Sequence, residues 1–238
     1  MVNKLKHIYQ QFNLDVKSAI GNRQCYICDQ YSRELVCEYC LKSTPISHFP
    51  VPGIDLLELE SISKHLLTPR YDNLRAICHH DGIIAALINQ LKFSNKSIVA
   101  PILIEFFNTY VLARLSQLET LPDALIPMPI SRLRFTQRQY NQTWLLAKAI
   151  NQKYGIPIEH AIIRHRHTKQ QSRLDRHARL ANTMNAFKLV KDIQYKHICI
   201  VEDVVTTGAT LNNLCECILD HAPNIKISVW CMAVASVD

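Results

Sequence analysis

The chain has 238 residues, 48% of them hydrophobic and 20% charged, and its 27 Lys and Arg against 20 Asp and Glu give a formal net charge of +7. This is enough chain for one α/β domain with a small appendage, and enough apolar content to bury a core. No apolar run reaches the roughly 18 residues of a membrane span, and Met1 to Gln11 has basic residues but no apolar stretch with a cleavage site, so a cytoplasmic protein without membrane insertion is expected.

The first organised segment is set by cysteines. Cys25, Cys28, Cys37 and Cys40 read Cys-x2-Cys, eight residues, Cys-x2-Cys. A two-residue knuckle brings two sulfurs onto one tetrahedral ion, so the two pairs predict a structural Zn2+ with no open position for catalysis. Disulfides are the alternative, and a reducing compartment argues against them. The residues between the knuckles, Asp29, Gln30, Ser32, Arg33 and Glu34, are too polar to form a core, so metal must replace one. Cys78, Cys199, Cys215, Cys217 and Cys231 lie in apolar or helical contexts and read as buried or half-buried thiols.

Pro45, Pro50 and Pro52 mark an extended arm, which divides the chain into an N-terminal segment, 1–60, and a main domain, 61–238. From Ile83 the apolar residues recur at helical spacing and end near Lys92 and Phe93. A second apolar helix is predicted over Ile98 to Leu118. Ala124 to Pro127 reads as a short buried strand, and Trp144 to Ile150 as a helix. Further strands are predicted at Ala161 to Ile163, His197 to Val201 and Ile225 to Val234. The alternation of helix and strand implies an α/β domain with a parallel sheet flanked by helices.

Two basic groups interrupt this order. Arg132, Arg134 and Arg138 follow the strand at 124–127, and Arg164 to Arg179 carries Arg164, Arg166, Lys169, Arg173, Arg176 and Arg179 against the single acid Asp175. Both suit a polyanion, although a solvated helix face and a loop would also produce them. Tyr140 and Trp144 lie beside the first group. Trp144 sits on an apolar helix and reads as core before it reads as a stacking surface.

The most informative segment is Ile198 to Thr210. Four apolar residues without polar alternation suit a central parallel strand, and Glu202 and Asp203 then fall where open α/β sheets bind ligands. Thr206, Thr207, Gly208, Ala209 and Thr210 run into an apolar-periodic helix, so their N–H groups and hydroxyls form a site for a phosphate. Two adjacent acids beside a phosphate turn make sense when they face sugar hydroxyls. The segment therefore predicts a ribose 5-phosphate, with Glu202 and Asp203 on the 2′- and 3′-hydroxyls.

This segment resembles the signature of type I phosphoribosyltransferases, whose ligand is phosphoribosyl pyrophosphate with Mg2+. Most relatives have Asp where Glu202 stands. Pro127-Met128-Pro129 followed by Arg132, Arg134, Arg138, Tyr140, Asn141 and Gln142 is similar to the "PxP…R…RGFNQ" signature of ComF/GntX-like competence proteins. So are Arg164-x-Arg166-x-Thr168-x2-Gln171-x2-Leu174, the four-cysteine module, Tyr71, and Lys92-Phe93 after a helix.

The resemblance implies a type I phosphoribosyltransferase-like fold with an N-terminal zinc ribbon. Glu202 and Asp203 would be the catalytic pair of any transferase, Pro127 to Pro129 the pyrophosphate loop, and one of Arg164, Arg166 or Lys169 the cation that closes over it. It implies DNA uptake in natural transformation, with single-stranded DNA bound through Arg132, Arg134, Arg138, Arg164, Arg166, Lys169 and Arg173, and competence-machinery proteins as further partners. A nucleotide-salvage phosphoribosyltransferase and a zinc-dependent adaptor on a non-catalytic scaffold are the alternative functions. One departure concerns the backbone: Gln139 replaces the family's glycine, and a positive φ there would strain it, so a different local turn is expected.

Overall fold

A computed structural model describes residues 24–43, 54–93, 99–107, 120–165 and 186–235. The cysteine segment folds first as a knuckle in which Gln24 and Tyr31 form an antiparallel bridge. The short helix α1 (Glu38–Lys42) then begins beside Cys37. It is attached to the main body: Cys25, Val36 and Cys40 are buried in one apolar cluster with Ile84, Ile88, Leu103 and Phe106, and Tyr26 Oη donates to Gln90 Oε1 at 3.0 Å.

A 3-10 turn at Leu56–Glu58 and helix α2 (Glu60–Ser63) lead to strand β1 (Asn73–His79). Asp55 ties the turn to the strand, its Oδ1 accepting from Leu57 N at 3.1 Å and Leu74 N at 2.9 Å. Leu56, N-terminal to the division expected at residue 60, is buried in the main core. There follow α3 (Gly82–Phe93), α4 (Val99–Phe107), β2 (Ala124–Pro127), α5 (Arg132–Arg138), α6 (Gln142–Tyr154), β3 (Ile162–Arg164), β4 (Phe187–Leu189), β5 (His197–Val205), α7 (Ala209–Leu219) and β6 (Lys226–Val234).

β1, β6, β5 and β2 make one sheet in that order, and every neighbouring pair is parallel. Burial on both faces explains the unbroken apolar runs of β5 and β6. Cys199, Val201, Trp230 and Met232 point toward the cluster of α3, α4, α6 and the cysteine module, whereas Ile198, Ile200, Val229 and Cys231 point toward α2 and α7. Each such large side chain contributes about 1.5–3 kcal/mol by leaving water.

The strand expected at 161–163 forms one residue later and lies outside the parallel sheet. It pairs antiparallel with β4 in a separate ribbon, Ile162 opposite Leu189 and Arg164 opposite Phe187. The apolar helix expected over 98–118 is described from Val99 to Phe107, and the remainder lies outside the described residues.

Gln139 keeps the glycine-like conformation rather than changing the turn. It closes α5 at φ 63° and ψ 0°, its N–H donates to Phe135 O at 2.7 Å, and its side-chain amide donates to Thr136 O. That local hydrogen bond offsets part of the left-handed strain, which is about 1–2 kcal/mol for a residue with a Cβ.

Candidate functional site

The site lies where β5 outruns its neighbour. β2 pairs with β5 only as far as Pro127 opposite Val201, while β5 continues beside β6 to Val205 opposite Val234. Glu202 and Asp203 therefore sit within the strand but beyond the end of β2, and Asp203 lines an apolar crevice with Ile88, Leu91 and Gln142. Glu202 and Asp203 are 9% and 7% exposed.

Asp203 is held by three donors. Lys92 Nζ lies 3.0 Å from Oδ1, Gln142 Nε2 lies 2.6 Å from Oδ2, and Val204 N donates to Oδ1 at 2.6 Å. Burial, the largest influence, pushes its carboxyl upward, but Lys92 and Gln142 with Glu202 together hold it below the usual range. Glu202 Oε1 accepts from the Asp203 N–H at 2.8 Å, and burial followed by the neighbouring Asp203 charge raises its carboxyl well above the usual range. The two neighbouring carboxyls are thus pushed in opposite directions at one strand end, a place where two sugar hydroxyls can meet both acids.

The turn after β5 is open and braced from below. Gly208 has φ 76° and caps α7 without a side-chain bond to the helix, so the first N–H groups of α7 face the turn. Thr207 Oγ1 accepts from Ala209 N at 3.4 Å, and Thr207 O accepts from Leu67 N at 2.9 Å. A Cβ on Gly208 would stand 3.4 Å from Tyr71 Oη in addition to meeting its backbone strain. The Tyr71 hydroxyl is itself buried with no hydrogen-bond partner among the described residues, directly beneath this turn.

On the opposite wall, Met128 O accepts from Asn141 Nδ2 at 3.0 Å and Thr143 Oγ1 at 3.1 Å, which fixes the 127–131 turn to the start of α6. Ser131 Oγ accepts from Arg134 N at 3.4 Å and starts α5. Arg138 Nη1 donates to Gln142 Oε1 at 3.2 Å, so the Gln142 amide links Arg138 to Asp203. Burial lowers the Arg138 guanidinium pKa, against the opposing pull of the Asp203 and Glu202 charges. Arg164 is buried on the Phe187 ring at 5.4 Å and is brought down to about 10, first by burial and then by Arg134, against the pull of Glu202.

The predicted residues therefore divide. Arg138 and Arg164 feel the charges of the acidic pair, Arg134 stands near both of these arginines, and Arg132 is exposed to solvent. Arg166, Lys169 and Arg173 lie outside the described residues. Trp144 is half-buried, with Lys148 Nζ 5.2 Å above its ring, and the Tyr140 hydroxyl donates to Leu91 O. Between the arginines of α5, Leu133 and Phe135 are 46% and 42% exposed. The sequence placed Lys92 and Gln142 in the family motifs without linking either to Asp203, and it gave no role to Phe135. A lysine in the last turn of a helix looks like ordinary capping, and only the tertiary fold carries it to Asp203.

The four Sγ atoms of Cys25, Cys28, Cys37 and Cys40 lie within 4.8 Å of one another, a cluster that can hold a metal ion and fits tetrahedral zinc. Cys25 Sγ accepts from Ile27 N at 3.4 Å and Cys37 N at 3.3 Å, and Cys37 Sγ from Cys40 N at 3.4 Å. Burial pushes the Cys25 thiol up, yet hydrogen bonds from the Cys37, Cys28 and Ile27 backbone bring it down to about 6, whereas burial pushes the neighbouring Cys40 thiol up. The acidic pair does not suit a directly bound Mg2+: both Asp203 oxygens already take protein donors, one from an ammonium.

No protein-family model matches the chain. It is 31% identical over 219 residues to competence protein F of Haemophilus influenzae, covering 84% of this chain and 90% of that protein. It is 30% identical over 212 residues to the DNA utilization protein YhgH of Escherichia coli O157:H7, covering 87% and 88%. Competence protein ComFC of Bacillus subtilis matches at 29% over 104 residues, 44% of this chain and 41% of that protein.

Proposed function

Since the chain belongs to the ComF-like family of competence proteins, we propose that it serves DNA uptake by binding incoming single-stranded DNA, with a ribose phosphate held at Glu202 to Thr210. The observation that carries this reading is that Glu202, Asp203 and the start of α7 share one end of β5, with Arg138 and Arg164 close enough to feel the acidic pair and Arg134 beside both arginines. The names of the relatives, competence protein F and DNA utilization protein, support the DNA side. The exposed Leu133 and Phe135 beside Arg132 and Arg134 support a strand whose phosphates meet cations while a base meets an aromatic face.

The fold reads phosphate and sugar at one end of β5, and a nucleic-acid terminus and phosphoribosyl pyrophosphate share that chemistry. Magnesium, where phosphoribosyl pyrophosphate is the ligand, travels on the pyrophosphate oxygens. A salvage phosphoribosyltransferase is the second reading, supported by the two adjacent buried acids, of which Asp203 is held below the usual carboxylate range and can face a ribose as positive charge develops on it. The cysteine cluster holds structural zinc and makes the module a rigid docking element for competence-machinery proteins.

Fluorescence anisotropy of a labelled single strand tests the leading reading. Log affinity should fall linearly with log salt at about −0.7 per phosphate contacted. Phosphoribosyl pyrophosphate should displace the strand only in part, because a strand spanning both basic groups covers more than the crevice. Complete displacement at near-stoichiometric ligand, or an affinity indifferent to salt, promotes the salvage enzyme.

A further inference from the structure

Lys92 is the one lysine bonded to the acidic pair among the described residues. It stands in the last turn of α3, only 19% exposed in its side chain, with Nζ 3.0 Å from Asp203 Oδ1. Its place is set from two sides. The Tyr140 hydroxyl donates to the carbonyl of the preceding residue, Leu91, and Leu91 is buried in the same apolar cluster as Ile88 and Leu146. The carboxylate is fixed as well, by Gln142 on its other oxygen and by Val204 N. Asp203 borders an apolar crevice with Ile88, Leu91, Ala100, Leu145 and Met232 on its walls. In such surroundings the ammonium and the carboxylate hold each other, and separating them would leave an unpaired buried charge.

Magnesium requires near-octahedral oxygen ligands and gives up water reluctantly. To reach Asp203 it would have to displace an ammonium that the fold already holds there. We propose that Lys92 is the resident cation of this site: it takes the position at Asp203 that a protein-held divalent metal would occupy, so a ribose phosphate binds beside an ammonium and needs no metal on the acidic pair. This rests on the ribose-phosphate reading for its ligand, but its metal half does not. An ammonium has three donors, so Lys92 can keep Asp203 and still donate to a sugar oxygen, joining the carboxylate to the ligand. Its charge is present whatever the concentration of free metal.

The test uses the zinc-loaded full chain in buffers stripped of metal by resin, so that no chelator attacks the cysteines. Mn2+ is titrated alone and read by electron paramagnetic resonance. Wild type should bind no Mn2+ at this site, Lys92→Ala should gain one, and Lys92→Ala combined with Asp203→Asn should lose it again. Calorimetry with ribose 5-phosphate should give wild type the same affinity with and without Mg2+, and Lys92→Arg, whatever its own affinity, should show no dependence on Mg2+. Lys92→Ala should lose about tenfold or more without Mg2+ and recover part of it with Mg2+.

Two results overturn the proposal: a wild-type Mn2+ signal that Asp203→Asn removes, or wild-type ribose 5-phosphate binding that appears only with Mg2+. Thermal melts check each variant, and if Lys92→Ala does not fold, the wild-type and Lys92→Arg arms still decide. Absence of ribose 5-phosphate binding to wild type in either buffer defeats the ribose-phosphate reading and the ligand half of this one, while the Mn2+ titration still decides whether Lys92 takes the metal's place.

Discussion

At the scale of single residues the acidic pair dominates, because its two members are pushed in opposite directions. Glu202 keeps its proton in the folded chain to a higher pH than in the unfolded chain. Above about pH 4.3 the unfolded chain releases that proton while the native state retains it, so the native state binds more protons and stability falls as pH rises through the folded value. Glu202→Gln removes this cost. Its urea midpoint relative to wild type should therefore be more favourable at about pH 8 than at about pH 5, and an equal difference at both would show that Glu202 is not raised.

Asp203 runs the other way, its stabilisation being present above the ordinary aspartate range and lost as pH falls through its lowered value. For binding, Asp203→Ala should lose charged hydrogen bonds worth roughly 1.5–3 kcal/mol, more than tenfold in ribose 5-phosphate affinity by calorimetry. Unchanged affinity would put the ligand elsewhere.

At the scale of elements, α5 has the composition of a contact surface. None of its residues is buried, and its length, Arg132–Arg138, alternates cations with exposed Leu133 and Phe135. The arginines and the aromatic ring should leave different signatures in strand binding. Phe135→Ala should weaken the single strand by about 1–3 kcal/mol while the salt slope stays the same, because stacking releases no counterions. Neutralising Arg132 and Arg134 to Gln should make the slope shallower by about 0.7 for each phosphate that no longer meets a cation. A Phe135→Ala chain with wild-type affinity would reduce α5 to a purely electrostatic surface.

This helix was also the least legible element. With no buried face it carries no apolar period, and only its charge was visible in the sequence. β1 escaped notice for a related reason, since Asn73 and Arg75 interrupt its apolar run. In the fold they satisfy each other, Arg75 Nη1 donating to Asn73 Oδ1 at 2.6 Å. The segment at 161–163 read as one more parallel strand because periodicity carries no partner, and its pairing with Phe187 to Leu189 is a matter of tertiary contact. Glu202, Asp203 and the cysteine spacing were legible because their chemistry is local. Lys92 and Gln142 reach Asp203 across long stretches of chain, and no local pattern records such a meeting.

At the scale of the whole molecule, the cysteine module and the main sheet share one apolar cluster, through Cys25, Val36 and Cys40 against α3 and α4. Loss of the metal should therefore reach the main domain. Metal analysis should find one zinc per wild-type chain, and Cys37→Ser with Cys40→Ser should lose it and lower the thermal midpoint of the main unfolding transition. Full zinc in that double variant would place the metal on other ligands, and an unchanged midpoint would mean that the shared cluster contributes nothing across the boundary.

The strand order has a consequence in time. β6, at Lys226–Val234, lies between β1 and β5, so β1 has no sheet partner until a strand made about 150 residues later has left the ribosome. At translation rates of about 5–20 residues per second, β1 waits on the order of ten seconds or more with an unpaired edge. The sheet thus closes from its last strand inward, and a chain stalled or cut before residue 226 can assemble only the β5–β2 pair. Such an unfinished chain exposes the apolar edges of β1 and β5 together, which makes it a natural client for holding chaperones during synthesis.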